Sequence, residues 1–223
     1  MNLKKFWDTC DEGFSHLELS KGNYHLDLGK KGGDGYQNLI KNWEGHFISK
    51  IDFKDKSVID YGIGGAYLGK YLFTEKSIKS YLGIDISDRS LNYAKKILTP
   101  LNCEYELMNT EEFYYNYNKK CDIFVSQACI QHFPSIEYLD NFLNKVNNLN
   151  CDTVMLQIRH CESDYEFLKN MKYKTKDEVV FACKTNKRYI TNKLTNYKLE
   201  HNSNIISPNL SKYQFLIYTL DVE

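Results

Sequence analysis

Three groups of residues in this chain have types and spacings that could do chemistry. The first is Asp60-Tyr61-Gly62-Ile63-Gly64-Gly65-Ala66, an acid followed at once by a glycine cluster. The second is Asp85, which closes the apolar run Tyr81-Leu82-Gly83-Ile84 about twenty residues further on. The third is a set of histidines: His132, His160 beside Arg159, and His25. A glycine turn leaves the backbone bare for a ligand and tolerates positive φ. A carboxylate at the tip of the neighbouring strand can accept hydrogen bonds from both ribose hydroxyls of an adenosine. Histidine titrates near neutrality and so can take a proton from a hydroxyl. The first two groups point to a nucleotide-binding crevice, and the histidines are candidate proton acceptors.

Such residues work only if strands and helices position them. Ser57-Val58-Ile59 is a short apolar strand leading into Asp60, and Tyr67-Leu68-Gly69-Lys70-Tyr71-Leu72 reads as a helix after the glycine turn. Further strands are predicted over Asn102 to Met108, Cys121 to Ser126, Thr153 to Ile158 and Tyr213 to Leu220. The run from Thr153 lacks clean alternation, as a strand covered on both faces should. Ser87-Asp88 caps a helix with Leu91, Ala94 and Leu98 on one face. Ile136, Leu139, Phe142, Leu143, Val146 and Leu149 repeat at helical spacing. Strands alternating with helices imply a parallel sheet with right-handed crossovers.

Two kinds of cofactor suit a strand, glycine turn and helix. A dinucleotide site wants G-x-G-x-x-G, but the residue three after Gly64 is Tyr67, whose ring would crowd the helix–strand contact. D-x-G-x-G-x-G fits better, with Asp60, Gly62 and Gly64 in place, Ala66 in the last position and Gly65 added. This pattern resembles the class I S-adenosylmethionine-dependent methyltransferases, over about residues 36 to 220. The resemblance implies an α/β, Rossmann-like, doubly wound seven-stranded sheet of order 3-2-1-4-5-7-6 with the last strand antiparallel. It implies S-adenosylmethionine as cofactor, with Asp60 suited to its cationic amino group, and Ile86, Thr110 and Gln127 joining Gly62, Gly64 and Asp85 in holding it. Asn109 stands where the family's polar residue meets the adenine amino group. Asn109 also begins an Asn-x-x-Glu capping signature, and both roles can hold at once. Gln127 to Pro134 resembles the family's segment after strand four, in which an apolar turn ends in a histidine facing the pocket. His132 is therefore the first candidate base, with capping or plain substrate contact as its alternative; His160 is the second and His25 the third.

Composition narrows the class. The chain has 223 residues, 42% of them hydrophobic, enough for a substantial core. No apolar run is long enough to span a membrane, and the first residues lack the apolar core of a signal peptide. Seven cysteines without a C-x-x-C pair read as reduced thiols in a cytoplasmic protein, not as a disulfide framework or zinc site. Formal net charge is zero, which argues against a nucleic-acid substrate. The basic group Lys184, Lys187, Arg188 and Lys193 reads as the solvated face of a helix. The position after strand four reads Ser126-Gln127-Ala128-Cys129, not the Asn/Asp-Pro-Pro-aromatic of amino methylation in DNA, and no Pro-Cys pair exists for cytosine C5 chemistry. Arg159-His160-Cys161 follows strand five, where a metal-dependent methyl transfer would want a carboxylate, so no metal is expected.

Two segments remain for the acceptor. Residues 1–50 carry Phe6, Trp7, Phe14, Tyr24, His25, Tyr36 and Trp43 and read as a helical cap or lid on a methyltransferase domain over 51–223. Tyr24 and His25 are candidate substrate contacts, although each aromatic equally suits packing on the sheet. Arg159 to Asn196 is long for a simple crossover, and loops at this end of a doubly wound sheet hold substrate. Arg159 suits an anionic acceptor, or a surface pair with Glu162 or Asp164. The expectation is methylation of a small polar acceptor, at a hydroxyl or phosphate-type oxygen of a saccharide or a phosphorylated or nucleotide-linked intermediate, by a monomer or homodimer. Nitrogen methylation of a small amine, RNA methylation and a non-catalytic binding subunit are the alternatives.

Overall fold

A computed structural model describes residues 3–9, 35–172, 179–206 and 212–221. They fall into two compact units, residues 1–118 and 119–223.

In the first unit, helices α1 (Leu3–Thr9) and α2 (Gly35–His46) precede strand β1 (Ser57–Tyr61). Then follow α3 (Tyr67–Lys76), β2 (Ser80–Asp85), α4 (Asp88–Leu98), β3 (Tyr105–Asn109) and α5 (Thr110–Asn116). Both strand pairs are parallel, with Asp60 opposite Gly83 and Asp85 opposite Asn109. Val58, Ile59, Leu72, Ile84, Leu98 and Phe113 form the core. Ser87 caps α4, its hydroxyl accepting from Ser90 N at 3.1 Å, as its position in the sequence predicts. The third strand begins at Tyr105 rather than Asn102, because Asn102 adopts the left-handed conformation at φ 49 that ends a 3₁₀ turn.

Of the described N-terminal aromatics Trp43 is buried, while Phe6, Trp7 and Tyr36 are partly exposed. Trp43 is buried with its ring 6.0 Å from Tyr71, and Tyr36 lies 5.7 Å from Tyr67. Helix α1 sits at the start of α4, where Asp8 Oδ1 accepts from Ser87 Oγ at 2.9 Å and Lys4 pairs with Asp88 at 2.5 Å. An acid at a helix N-terminus meets unpaired backbone N–H groups and the positive end of the helix dipole. Phe14, Tyr24 and His25 lie outside the described residues.

In the second unit come β4 (Ile123–Ser126), α6 (Ile136–Leu149), β5 (Thr153–Arg159), β6 (Tyr165–Lys172), β7 (Val179–Thr185), α7 (Lys187–Lys193), β8 (Tyr197–Ile206) and β9 (Lys212–Leu220). Helix α6 buries Leu139, Phe142, Leu143, Val146 and Leu149, starts on a Ser135 cap and stops at Asn150 with φ 49. Each of those side chains contributes about 1.5–3 kcal/mol of burial. Strand β9 pairs antiparallel with both β5 and β8.

The main sheet has strand order β3-β2-β1-β4-β5-β9-β8. With the separate β6–β7 hairpin set aside, this is the expected 3-2-1-4-5-7-6. The long segment from Arg159 to Asn196 contains that hairpin and α7. Lys184 is on β7, not on a helix, which corrects the grouping of the basic residues. Lys184 pairs with Glu166 at 3.1 Å, Arg188 with Asp164 at 2.7 Å and Lys193 with Asp140 at 2.8 Å. Their charges are locally compensated, as on a solvated face.

Candidate active site

The glycine turn is drawn tightly onto strand β2. Gly62 N and Ile63 N donate to Ile84 O at 2.7 and 3.1 Å, and Gly64 N donates to Asp85 Oδ2 at 2.9 Å. Gly62 and Gly64 have φ of 85 and 50, conformations that cost a residue with a side chain. A Cβ built on Gly64 would meet nothing within 4 Å, so bare backbone faces open space there. Ala66, in the last position of the motif, also has positive φ, 54, and is the N-cap of α3.

Tyr67 does not crowd the strand. Its hydroxyl lies 3.1 Å from that of Tyr93, beside Tyr36. Close approach of helix to strand falls instead to Gly69, where a Cβ would stand 2.6 Å from Cζ of Tyr81. The Tyr81 ring therefore lies under α3, and its hydroxyl donates to Asp60 Oδ2 at 2.7 Å. Both residues are buried. Burial pushes the Asp60 carboxyl up to about 7, against the Tyr81 hydrogen bond, which favours the anion.

Asp85 stands at the tip of β2 with partial exposure. Its Oδ1 accepts from Ser87 N at 2.9 Å and its Oδ2 from Gly64 N, and Ile86 N also supports the anion. Desolvation outweighs these bonds and raises the carboxyl to about 6. A carboxylate has about four lone-pair sites, so two oxygens held by backbone donors still have capacity for two ribose hydroxyls. Asn109 lies beside Asp85 in register and caps α5, Oδ1 accepting from Glu112 N at 2.8 Å. Thr110, the first residue of α5, is buried. Asp60, Gly62, Gly64, Asp85, Ile86, Asn109 and Thr110 thus gather at the carboxyl ends of β1, β2 and β3. This set fits a nucleoside cofactor bearing a cationic amino group.

In the second unit, Gln127 follows β4, and His132 closes a 3₁₀ turn over Ile130–His132. Ala128, at φ 54, donates its N–H to Gln157 Oε1 at 3.0 Å. Gln157 is a buried polar residue within the apolar run of β5, and it holds the loop that carries Gln127 and His132. That Gln interrupting an apolar strand was the available sign of a positioning residue. Gln131 Nε2 lies 3.4 Å from His132 Nε2. The turn packs against β5 and β7.

Arg159 ends β5, and His160 bridges to Thr185 of β7. His160 Nε2 is 3.3 Å from Glu162 Oε1. Asp164, the other suggested partner of Arg159, accepts from Arg188 and from Asn186. Tyr81 and Gly69, which shape the cofactor end, were missed in the sequence because a strand aromatic and a helix glycine carry no motif.

Strand order, glycine turn and the acid at the tip of β2 define a class I S-adenosylmethionine-dependent methyltransferase. The chain belongs to the family described as Methyltransferase domain, whose model matches residues 52–202. Malonyl-[acyl-carrier protein] O-methyltransferase of Acetivibrio thermocellus is 28% identical over 134 residues, 59% of this chain and 46% of that protein. The chain thus spans about half the length of this curated relative. Magnesium protoporphyrin IX methyltransferase from Synechocystis, with bound S-adenosylhomocysteine, has a similar fold at TM-score 0.66, 13% identity and 98% coverage of both chains. An S-adenosylmethionine-dependent methyltransferase from Clostridium acetobutylicum gives TM-score 0.61 and 12% identity, covering 96% of this chain and 100% of that one. No helix among the described residues is long and apolar enough to cross a membrane.

Proposed function

We propose that this enzyme methylates an oxygen of a small polar acceptor, and that the acceptor carries an anionic group. The observation that carries this reading is Arg159 beside His160 at the carboxyl end of β5. Guanidinium is a permanently charged fork suited to carboxylate or phosphate. The relative named as a malonyl O-methyltransferase lends support to oxygen as the acceptor atom, and widens the oxygen type from hydroxyl and phosphate to carboxylate.

In this reading Asp85 accepts from the ribose, Asn109 meets the adenine, and Ile86 and Thr110 border it. Gly62 and Gly64 give the backbone approach, while Asp60 and Gln127 serve the amino-acid end. Bound cofactor supplies an activated methyl on a sulfonium, so the protein mainly aligns the acceptor and excludes water. A carboxylate acceptor needs no base. A hydroxyl acceptor needs one, and His132 takes that proton, with His160 as second candidate and His25 as third. Arg159 holds the anionic group, and Tyr24 and His25 of the N-terminal segment complete the acceptor contacts. Residues 1–50 act as a lid on the domain over 51–223. The acceptor is a small molecule and not DNA, with RNA as the less favoured alternative; the enzyme uses no metal and works in the cytoplasm as a monomer or homodimer.

The test is methyl transfer from labelled S-adenosylmethionine to a malonyl thioester, a sugar phosphate and a primary amine. Label released by mild base marks a carboxylate methyl ester, stable label on the sugar phosphate marks an ether or a phosphate methyl ester, and label on the amine alone overturns oxygen transfer. No transfer to any acceptor class, with cofactor bound, favours a non-catalytic subunit.

A further inference from the structure

Cys121 and Cys151 sit at the amino ends of β4 and β5, at the opposite end of these strands from Ser126 and Arg159. Their sulfurs are 2.8 Å apart, closer than two non-bonded sulfurs rest, and both side chains are buried. The flanking residues hold them there. Lys120 Nζ pairs with Asp152 Oδ1 at 2.7 Å, Thr153 N donates to Asp122 O at 3.0 Å, and Ile123 is in register with Thr153. The two chain segments are thus joined on both sides of the thiols. Lys120, Asp122, Asp152 and Tyr197 are the charged and titratable groups around Cys151, with Tyr197 packed from β8. The contact with Cys121 holds the Cys151 thiol below the ordinary cysteine value despite burial.

We propose that Cys121 and Cys151 form a redox-active pair that closes to a disulfide on exposure to a peroxide and staples β4 to β5. Cys151 thiolate attacks one peroxide oxygen; an S–O bond forms, the O–O bond breaks, and hydroxide leaves and takes up the proton that the thiolate released. Cys121 then attacks the Cys151 sulfur; the S–S bond forms, the S–O bond breaks, and water leaves with the Cys121 proton. Two thiols and one hydrogen peroxide give one disulfide and two waters, with the peroxide reduced by two electrons and each sulfur oxidised by one. The remaining described thiols have other surroundings. Cys103 and Cys129 are partly exposed, Cys161 bonds to Ser163, and Cys183 donates to Ile130 O.

Hydrogen peroxide treatment of the full chain, alkylation in denaturant and peptide mass mapping test this. The expected product is a linked Cys121–Cys151 peptide as the main crosslink, with a Tm rise of about 5–10 °C that a dithiol reductant reverses. Cys121→Ser and Cys151→Ser should each abolish both the linked peptide and the Tm rise. Full alkylation of Cys121 and Cys151 after treatment overturns the proposal, as does a main crosslink between other cysteines. Because the wild-type crosslink map decides the matter, a serine variant that fails to fold leaves the test intact.

Discussion

Tyr81 donates its hydroxyl to the Asp60 carboxylate across 2.7 Å, with both side chains buried beneath the glycine turn. The bond favours the Asp60 anion, and burial opposes it.

Removing the donor should therefore raise the Asp60 pKa beyond about 7. If ionised Asp60 serves the cofactor's ammonium group, Tyr81→Phe should move the pH midpoint of S-adenosylmethionine binding upward. At pH 7 the affinity should fall about three- to tenfold, and at pH 8.5 most of it should return. Calorimetric titration across pH 5.5–8.5 checks this. A loss that does not depend on pH would mean that Tyr81 only packs.

Asp60 and Asp85 also set a stability trend. Both have folded-state pKa values, about 7 and about 6, above that of an unfolded aspartate. Over that interval the folded state holds protons that the unfolded chain has lost, so stability falls as pH rises. The stabilising share is complete at low pH and gone above about 7. Asp60→Asn should flatten the decline of Tm in the cofactor-free protein between pH 5 and 8, and melt above wild type at pH 8. The same variant should bind S-adenosylmethionine more weakly. A decline as steep as wild type's would assign it to other groups.

Two glycine-to-alanine changes should have opposite signs. At Gly69 a Cβ would meet the Tyr81 ring at 2.6 Å, so helix or ring must shift. Overpacking of that kind costs about 1–3 kcal/mol, more than the roughly 1 kcal/mol gained in helix propensity. At Gly45, near the end of α2, a Cβ would meet nothing within 4 Å, so only the propensity gain applies. Gly69→Ala should lower Tm and Gly45→Ala should raise it slightly. Equal signs in a melting experiment would refute the claim that Gly69 sits at a close contact.

The cofactor assignment of Asp85 and Gly64 predicts a shared defect. Each charge-assisted hydrogen bond from the ribose to Asp85 is worth roughly 1.5–3 kcal/mol. Asp85→Ala should weaken S-adenosylmethionine about tenfold or more, and Gly64→Val should do similar harm by filling the open approach. S-adenosylhomocysteine should raise Tm, by about 2.7 kcal/mol of stabilisation at a hundred times its dissociation constant, while NAD and NADP should leave it unchanged. Unchanged cofactor affinity in Asp85→Ala would remove Asp85 from the site.

His132 and Gln157 separate chemistry from positioning. With a hydroxyl acceptor, His132→Ala should lower the rate by roughly 10²–10⁴ with little change in cofactor affinity. The wild-type rate should rise as the pH does, since only neutral imidazole accepts a proton. With a carboxylate or amine acceptor, His132→Ala should mainly raise KM. Gln157→Leu would leave Ala128 N without its acceptor, costing about 1–3 kcal/mol and loosening the loop. It should lower turnover while preserving the pH profile. A fully active His132→Ala would move the test to His160 and His25.

Some of this protein was legible in its sequence, and the reason is local. A glycine turn with positive φ at Gly62 and Gly64, an acid ending an apolar run at Asp85, and caps at Ser87 and Asn109 all depend on neighbours a few residues away. The apolar period of α6 is equally local, since one helix face must be buried whatever lies against it. What only tertiary structure decided depends on pairs distant in the chain. The close approach of helix to strand falls at Gly69 because Tyr81 passes beneath it. Lys184 lies on a strand because the β6–β7 hairpin, invisible as a period-two pattern, pairs Glu166 with it across the ladder. Gln157 serves the loop after β4, and Cys151 meets Cys121, because β4 and β5 are neighbours in register. Hydrophobic periodicity reports which face is buried; it carries no record of which residue waits on the other side.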